Sequence, residues 1–365
     1  MLDRQTTHAL RAEPQESYTD PALLEREQTH VFDRDWVMVT RAGALPNPGD
    51  YVTAKLGRRP IVVIRQEDGS IRAFANYCLH RYAKLLDGSG NKKRIVCPYH
   101  AWTYTMAGEL MGVADREGFC ALKTREMGLE ELACEVALGF VFVSRRFDLP
   151  APGARLGELA ALLANHRIED YEDRIVVDEE IWEGNWKALF ENFIESYHVT
   201  YSHKGSIGPT NPTKLAEKGP TGHDFFSLHH NSYRPEDYPP IHNAALTADQ
   251  RRQFHVIALY PNGLAAVDPN FMWWIALEPM APGRTNARWG LSFSPHAMAG
   301  MEDPEAYVEA IRQTIVVATA EDKEMVGRVQ EGAAFGSSER GYLHDWMEVY
   351  LAEFRQYIDG LCAAD

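Results

Sequence analysis

Long apolar runs are missing from this 365-residue chain. No stretch approaches the roughly 18 to 20 uninterrupted apolar residues that a membrane span needs. The polar start Met1-Leu2-Asp3-Arg4-Gln5 lacks the apolar core of a signal peptide. The expectation is a cytoplasmic protein with no membrane partner. An excess of positive charge is missing too: 37 Lys and Arg face 52 Asp and Glu, a formal charge of −15. That argues against nucleic acid, whose binding is driven by neutralising phosphates with Lys and Arg. Cysteine is sparse. The five, at positions 78, 97, 120, 134 and 362, are odd in number and scattered, unlike the dense framework of a secreted disulfide scaffold. Metal binding is the better question to ask of them. Repeats and low-complexity tracts are absent, which excludes solenoids and arrays. No Gly-x-Gly-x-x-Gly stands between a strand and a helix, so no built-in dinucleotide site is expected.

What is present is the balance of a globular protein, 45% apolar and 24% charged, at a length that suggests two domains. Ala22 to His30 carries a short helical pattern. Trp36 to Phe74 holds strand-like runs such as Trp36-Val37-Met38-Val39 and Pro60-Ile61-Val62-Val63-Ile64, separated by Pro, Gly and Asp turns. This small antiparallel β module continues to Gly139-Phe140-Val141-Phe142-Val143-Ser144, and Leu149-Pro150-Ala151-Pro152-Gly153 reads as a linker. Beyond it, residues 175–177 and Trp182 suggest strands, Lys187 to Tyr197 a helix, and residues 254–294 strands again. Glu305 to Gln330 and Tyr342 to Ile358 are helical. Strands followed by long helices imply an α+β second domain. The expected division is an N-terminal helical segment, 1–35, packing with the catalytic domain, then 36–150 and 151–365.

Cys78-Leu79-His80, sixteen residues, then Cys97-Pro98-Tyr99-His100 is the strongest local signal. Two short loops, each with one thiolate and one imidazole, suit a two-iron, two-sulfide cluster whose cysteines hold one iron and histidines the other. Neutral imidazoles leave less negative charge around such a cluster, so an added electron is accepted more readily. The competing reading is a Cys₂His₂ zinc knot. Structural zinc sites usually pair like with like, whereas here each loop carries one of each.

A second constellation runs from Asn185 to His198, with His203 five residues further. On a continuous helix Asn192, Glu195 and His198 would share one face. His203 would lie about 140° around from His198, so both reach one metal only if the helix ends between them, and Gly205 and Gly208 make a break credible. Two histidines and a carboxylate form the facial triad of non-haem iron oxygenases, which leaves positions open for dioxygen. The carboxylate is sought on the seam Ile311, Ile315, Ala318, position 322, Met325 and Val329. Position 322 is Asp, costly on a buried seam unless paired or metal-bound. Its neighbours Glu321, Lys323 and Glu324 are expected off the seam. A partner Arg or Lys for Asp322 is the alternative.

The stretch from Asn76 to Tyr104, with Cys78, His80, Arg81, Gly88, Gly90, Cys97, Pro98, Tyr99, His100, Trp102 and Tyr104, resembles the Rieske domain of aromatic-ring-hydroxylating oxygenase α subunits. Glu191-Asn192 to His203 resembles that family's two-histidine iron motif. Glu321-Asp322 with Val329-Gln330-Glu331-Gly332 resembles the segment supplying its iron-binding aspartate. Tyr82 and Ala101 stand where the family commonly has glycine, and Glu195 where most members have aspartate. The resemblance implies an antiparallel Rieske [2Fe-2S] domain plus a helix-grip-like α+β catalytic domain with a mononuclear Fe(II). It further implies a homotrimer fed by a reductase or ferredoxin. The carboxylate at 195 is implied to join an iron histidine to a Rieske histidine of the next subunit. The implied activity is hydroxylation or oxidative demethylation of a small aromatic compound. A glutamate at 195 also fits oxygenases of quaternary ammonium compounds such as carnitine and glycine betaine.

Tyr99 and Trp102 are expected beside the cluster, and Arg81, Lys84, Lys92, Lys93 and Arg94 form a basic group that could receive an acidic electron carrier. Candidate pocket residues are Phe190, Phe193, Tyr260, Phe271, Trp273 and Trp274, a lining that would suit an arene by stacking or an alkylammonium by cation–π attraction. His229, His230 and His242 are read as a surface loop, and Cys120, Cys134 and Cys362 as structural.

Overall fold

The computed structural model describes residues 10–119, 121–123, 126–240 and 243–363; Cys120 and His242 lie outside them. Two compact units divide the chain, one from Gln28 to Gly157, the other joining the residues up to Glu27 with those from Glu158 onward. The sequence reading placed these divisions at 35/36 and 150/151. No described helix is long and apolar enough to cross a membrane.

The N-terminal helices α1 (Glu16–Thr19) and α2 (Pro21–Glu27) belong to the second unit. The first unit follows, rich in β-branched and aromatic residues that pack well on a pleated surface. Its strands are β1 (Val37–Arg41), β2 (Asp50–Leu56), β3 (Arg59–Arg65), β4 (Ile71–Ala75), β5 (Ser89–Asn91), β6 (Ile95–Val96), β7 (Thr103–Tyr104), β8 (Leu110–Gly112), β9 (Glu131–Ala137) and β10 (Phe140–Ser144). Seven form an antiparallel sheet in the order β1-β10-β9-β4-β3-β2-β5, and β6-β7-β8 form a smaller one. Between them lies a core of Val62, Ile64, Phe74, Ile95, Trp102 and Tyr104, in which Cys78 and Cys97 are themselves buried. The candidate cluster loops therefore spring from a rigid base. The short helix α3 (Pro152–Arg155), with Pro at its first position, closes the unit.

The second unit continues with α4 (Gly157–Leu162), β11 (Glu172–Val177), β12 (Ile181–Trp182), α5 (Trp186–Phe193), α6 (Val199–Ser202), β13 (Ala216–Glu217), β14 (Phe226–Ser232), β15 (Gln253–Leu259), β16 (Gly263–Val267), β17 (Phe271–Ala281), β18 (Arg284–Phe293), α7 (Pro295–Ala299), α8 (Pro304–Ala333) and α9 (Val349–Ala363). Its antiparallel sheet runs β11-β18-β17-β16-β15-β14-β13, with β12 added against β18. The N-terminal helices anchor α5. Glu27 accepts from Lys187 Nζ at 2.6 Å and Trp186 Nε1 at 2.8 Å, and Tyr18 donates to Glu191 at 2.7 Å.

Four local expectations are corrected. The helix begun at Lys187 stops at Phe193 rather than Tyr197, because the Glu195 carboxylate accepts from the Tyr197 and His198 amides and takes them out of the helical ladder. The last helix starts at Val349, not Tyr342. The buried stripe of α8 passes through Ile315, Ala318, Asp322 and Val326, while Val329 is 48% exposed; a period of 3.6 carries the stripe one position past Met325. His229 and His230 sit inside β14, not in a surface loop, and His229 is buried.

Candidate metal centres

The two cysteine–histidine loops share one backbone design. Cys78 N bonds Ala83 O at 2.8 Å and Cys97 N bonds Trp102 O at 2.8 Å, while Tyr82 N returns to Cys78 O at 2.9 Å and Ala101 N to Cys97 O at 3.0 Å. Each loop turns by placing one residue in the left-handed region: Tyr82 at φ 62° and Ala101 at φ 55°. These are the two positions where the sequence departs from glycine. The turn is kept, at the steric cost a Cβ incurs there.

The loops bring the four predicted residues together. His80 and His100 rings stand 4.6 Å apart at 65°, and His80 lies flat on Trp102 at 5.0 Å. Tyr99 packs on His100 at 3.8 Å but is 56% exposed. Tyr104 Oη meets Cys78 Sγ at 3.3 Å and accepts from Leu79 N at 3.0 Å. Burial pushes the Cys78 thiol up, so a thiolate there needs a cationic partner. The Nδ1 atoms of His80 and His100 are buried with no hydrogen-bond partner. Orphaned nitrogens beside two buried thiols fit a cluster held through imidazole on one side and thiolate on the other. Arg81, Lys84, Lys92, Lys93 and Arg94 are all exposed near these loops.

In the second unit the break after Phe193 turns His198 back toward His203, which ends α6. Gly208 N bonds His203 O at 2.9 Å, and a Cβ at 208 would lie 2.5 Å from that oxygen, so this turn needs glycine. His198 Nδ1 is held by Glu195, and His203 Nδ1 by Glu321 at 3.0 Å. Each carboxylate selects the tautomer whose Nε2 carries a free lone pair. Those Nε2 atoms face each other at 3.2 Å. Asp322 Oδ1 lies 3.2 Å from His203 Nε2 and 3.6 Å from His198 Nε2. Two lone pairs and a carboxylate pointing at one spot fit a cation, and these three ligand atoms lie within 4.8 Å of one another. Burial pulls the His203 imidazole down, but the adjoining Asp322 and Glu321 carboxylates outweigh it and leave it raised.

Asn192, from α5, donates to Asp322 Oδ1 at 2.8 Å. Glu321, expected off the seam, is half-buried and accepts from Gly205 N at 2.8 Å and Ser206 Oγ at 2.5 Å besides His203. Its adjacency to Asp322 and its charge beside a buried stripe were the signals in the sequence. His229 was missed as well: it meets Ser196 Oγ at 2.7 Å and stacks on Tyr350 at 5.3 Å. Burial, with His230 and His198 nearby, pushes it down to about 3.

Beside the triad opens a cavity of about 100 Å³, walled by Phe193, Phe254, Phe271 and Trp273, with Tyr233 and Asp268. Phe193, Phe271 and Trp273 were predicted there. Phe190 and Tyr260 instead pack with Phe354, and Trp274 bonds Asp173 from the other sheet face. Asp268 is buried, accepts from Tyr233 Oη at 2.5 Å and Asn270 N at 2.9 Å, and is pushed up to about 6 by burial. Among the described lining residues there is no Lys or Arg.

Residues 35–123 match the Rieske [2Fe-2S] domain, and residues 165–364 match the ring hydroxylating alpha subunit (catalytic domain). The carnitine monooxygenase oxygenase subunit of Acinetobacter pittii is 28% identical over 334 residues, 90% of this chain and 86% of that one. The toluate 1,2-dioxygenase alpha subunit of Pseudomonas putida is 32% identical over 213 residues, 56% of this chain and 47% of that one. Among solved structures, a quaternary ammonium Rieske monooxygenase in complex with L-carnitine superposes with TM-score 0.80 at 25% identity, covering 97% of this chain and 96% of that one. Naphthalene 1,2-dioxygenase from Rhodococcus bound to indole shares the fold at TM-score 0.80, 19% identity, and 96% and 94% coverage. The cofactors are thus a Rieske [2Fe-2S] cluster and mononuclear iron. The chain belongs to the Rieske oxygenase alpha-subunit family, oxidoreductases that use dioxygen.

Proposed function

We propose that Cys78, His80, Cys97 and His100 hold the cluster, that His198, His203 and Asp322 hold the iron, and that the substrate is a small aromatic compound, hydroxylated or oxidatively demethylated. The observation that carries this reading is the convergence of two imidazole lone pairs and one carboxylate beside an aromatic-walled cavity with no Lys or Arg among its described lining residues. Bound iron would supply open coordination positions for dioxygen, and the cluster single electrons. The chain's own groups do the rest. Glu195 and Glu321 hold protons on Nδ1 of His198 and His203, so that Nε2 of each faces inward. Asn192 fixes Asp322 by donating to Oδ1. Apolar walls exclude water and leave ring faces for stacking.

A quaternary ammonium substrate is the second reading. Asp268, a carboxylate with no cation beside it in the described lining, and the ring faces of Phe254, Phe271 and Trp273 favour it. So does the carnitine monooxygenase relative that spans most of the chain. The electron donor is a reductase or a ferredoxin, the assembly we infer is a homotrimer, and we assign it to the cytoplasm.

The deciding experiment is turnover of the iron-loaded protein with a reductase and a panel of aromatic acids, methoxyarenes and betaines, read by product mass spectrometry. Oxygenated or demethylated arenes are expected. Product from betaines alone would replace the first reading by the second. Glu195→Gln should keep both metals yet slow electron delivery to the iron by about 10- to 100-fold; undiminished coupled turnover would remove Glu195 from that role.

A further inference from the structure

The cavity beside the triad is apolar over most of its wall, but Asn211, Tyr233 and Asp268 form a polar strip in it. Tyr233 directly follows β14. Asp268 follows β16, two positions after Ala266, which lines the cavity as well, and strand alternation carries both side chains to that face. Asn211 is 2% exposed and Asp268 3%.

Asp268 closes the turn between β16 and β17: its amide bonds Phe271 O at 2.9 Å, and its Oδ1 accepts from Asn270 N at 2.9 Å. An asparagine side chain serves such a turn as well. The turn therefore accounts for one oxygen and leaves the charge unexplained. Oδ2 accepts from Tyr233 Oη at 2.5 Å, and the Phe271 amide adds a third donor. All three donors are neutral. With no Lys or Arg among the described lining residues, the carboxylate is buried without a cation, which is costly unless a ligand completes the site. Burial pushes it up to about 6, so above that pH it is ionised. An ionised carboxylate accepts at about four positions and donates at none; one position is left for a donor that the substrate brings.

Asn211 approaches the same Tyr233 oxygen, yet its Nδ2 is buried without a well-formed hydrogen bond, while its Oδ1 accepts from Thr210 Oγ1 at 2.8 Å. An acceptor-only carboxylate and an unspent amide donor, both beside one phenol oxygen, match a hydroxyl group, which donates once and also accepts. A substrate carboxylate would meet Asp268 as a like charge.

We propose that Asp268 and Asn211 are specificity-determining residues that select a substrate bearing a hydroxyl group, which donates to the Asp268 carboxylate and accepts from Asn211 Nδ2, and that turn carboxylates away. This rests on the reading that the cavity beside the triad is the substrate site. A site built to hydrogen-bond a hydroxyl rejects the analogue without one, because its own buried groups are then left unpaired.

The test is calorimetric binding to protein with both centres loaded, kept anaerobic so that nothing turns over. The ligands are 4-methylphenol, 4-methylanisole and 4-methylbenzoate, which differ at one ring position. The first should bind at least about tenfold more tightly than either of the others. Asp268→Asn, which keeps the turn, should bring 4-methylphenol and 4-methylanisole within about threefold of each other and strengthen 4-methylbenzoate. Equal affinities in the unaltered protein, or a preference that survives Asp268→Asn, overturns the proposal. Failure of the aromatic reading looks different, because no arene then binds, and choline against glycine betaine decides instead. A preference for choline of about tenfold that Asp268→Asn removes supports the proposal, and equal binding overturns it. If Asp268→Asn does not fold, Tyr233→Phe decides. There 4-methylphenol alone should bind more tightly, since the Tyr233 hydroxyl no longer competes for Oδ2; an unchanged affinity, or a shift common to all three ligands, overturns the proposal.

Discussion

The two metal centres are built in different ways. Each cluster loop closes on itself within five residues, by paired amide bonds and one left-handed residue, and both loops are seated in one small core. The proposed iron triad draws His198 and His203 from a broken helix, and Asp322 from a 30-residue helix. Asn192, which steadies Asp322, is 130 residues away from it. A local motif carries its geometry with it, whereas a dispersed site has only the geometry that the whole unit imposes.

Damage should follow that contrast. The largest effect is expected for Asp322→Ala, which should lose about one iron per chain and all turnover while the visible spectrum of the cluster stays; retained oxygenation would remove Asp322 from the site. Acid comes next, because His166 is buried in the iron-bearing unit and pushed down to about 4 by burial alone. Folded protein keeps it neutral, while the unfolded chain binds its proton below about 6.5. Its contribution is therefore complete above that pH and falls as pH drops toward 4, by on the order of 3 kcal/mol. Glu191, pushed up to about 8 by burial, acts oppositely, favouring the fold below about 4.5 and less so as pH rises through 8. Chemical unfolding of metal-free protein from pH 7 to 4 should lose stability less steeply in His166→Gln. An unchanged slope would show that His166 is not held neutral.

A smaller effect is expected for Glu321→Ala. With His203 Nδ1 no longer held, iron affinity should fall about 10- to 100-fold by equilibrium dialysis, and unaltered affinity would make Glu321 a bystander. The smallest belongs to the local centre. Ala101→Gly relieves a left-handed residue and should raise stability by up to about 1 kcal/mol, read as a shift in Tm. A clear loss would mean that the Ala101 side chain matters more than its backbone angle.

Sequence alone singled out the proposed cluster ligands, because Cys78, His80, Cys97 and His100 need only short-range spacing to converge. It also marked Asp322, since a carboxylate on an apolar stripe of a long helix is conspicuous wherever that helix packs. It did not reveal the early end of α5, because periodicity continues through Glu195 and the Glu195 carboxylate breaks the ladder only once its oxygens reach two backbone amides. Nor did it reveal the partnership of Glu321 with His203, the strand that buries His229, or which aromatic rings turn toward the cavity. Those depend on which sheet face meets which helix, and a one-residue change in register moves a side chain from one face to the other. Tertiary packing decided them.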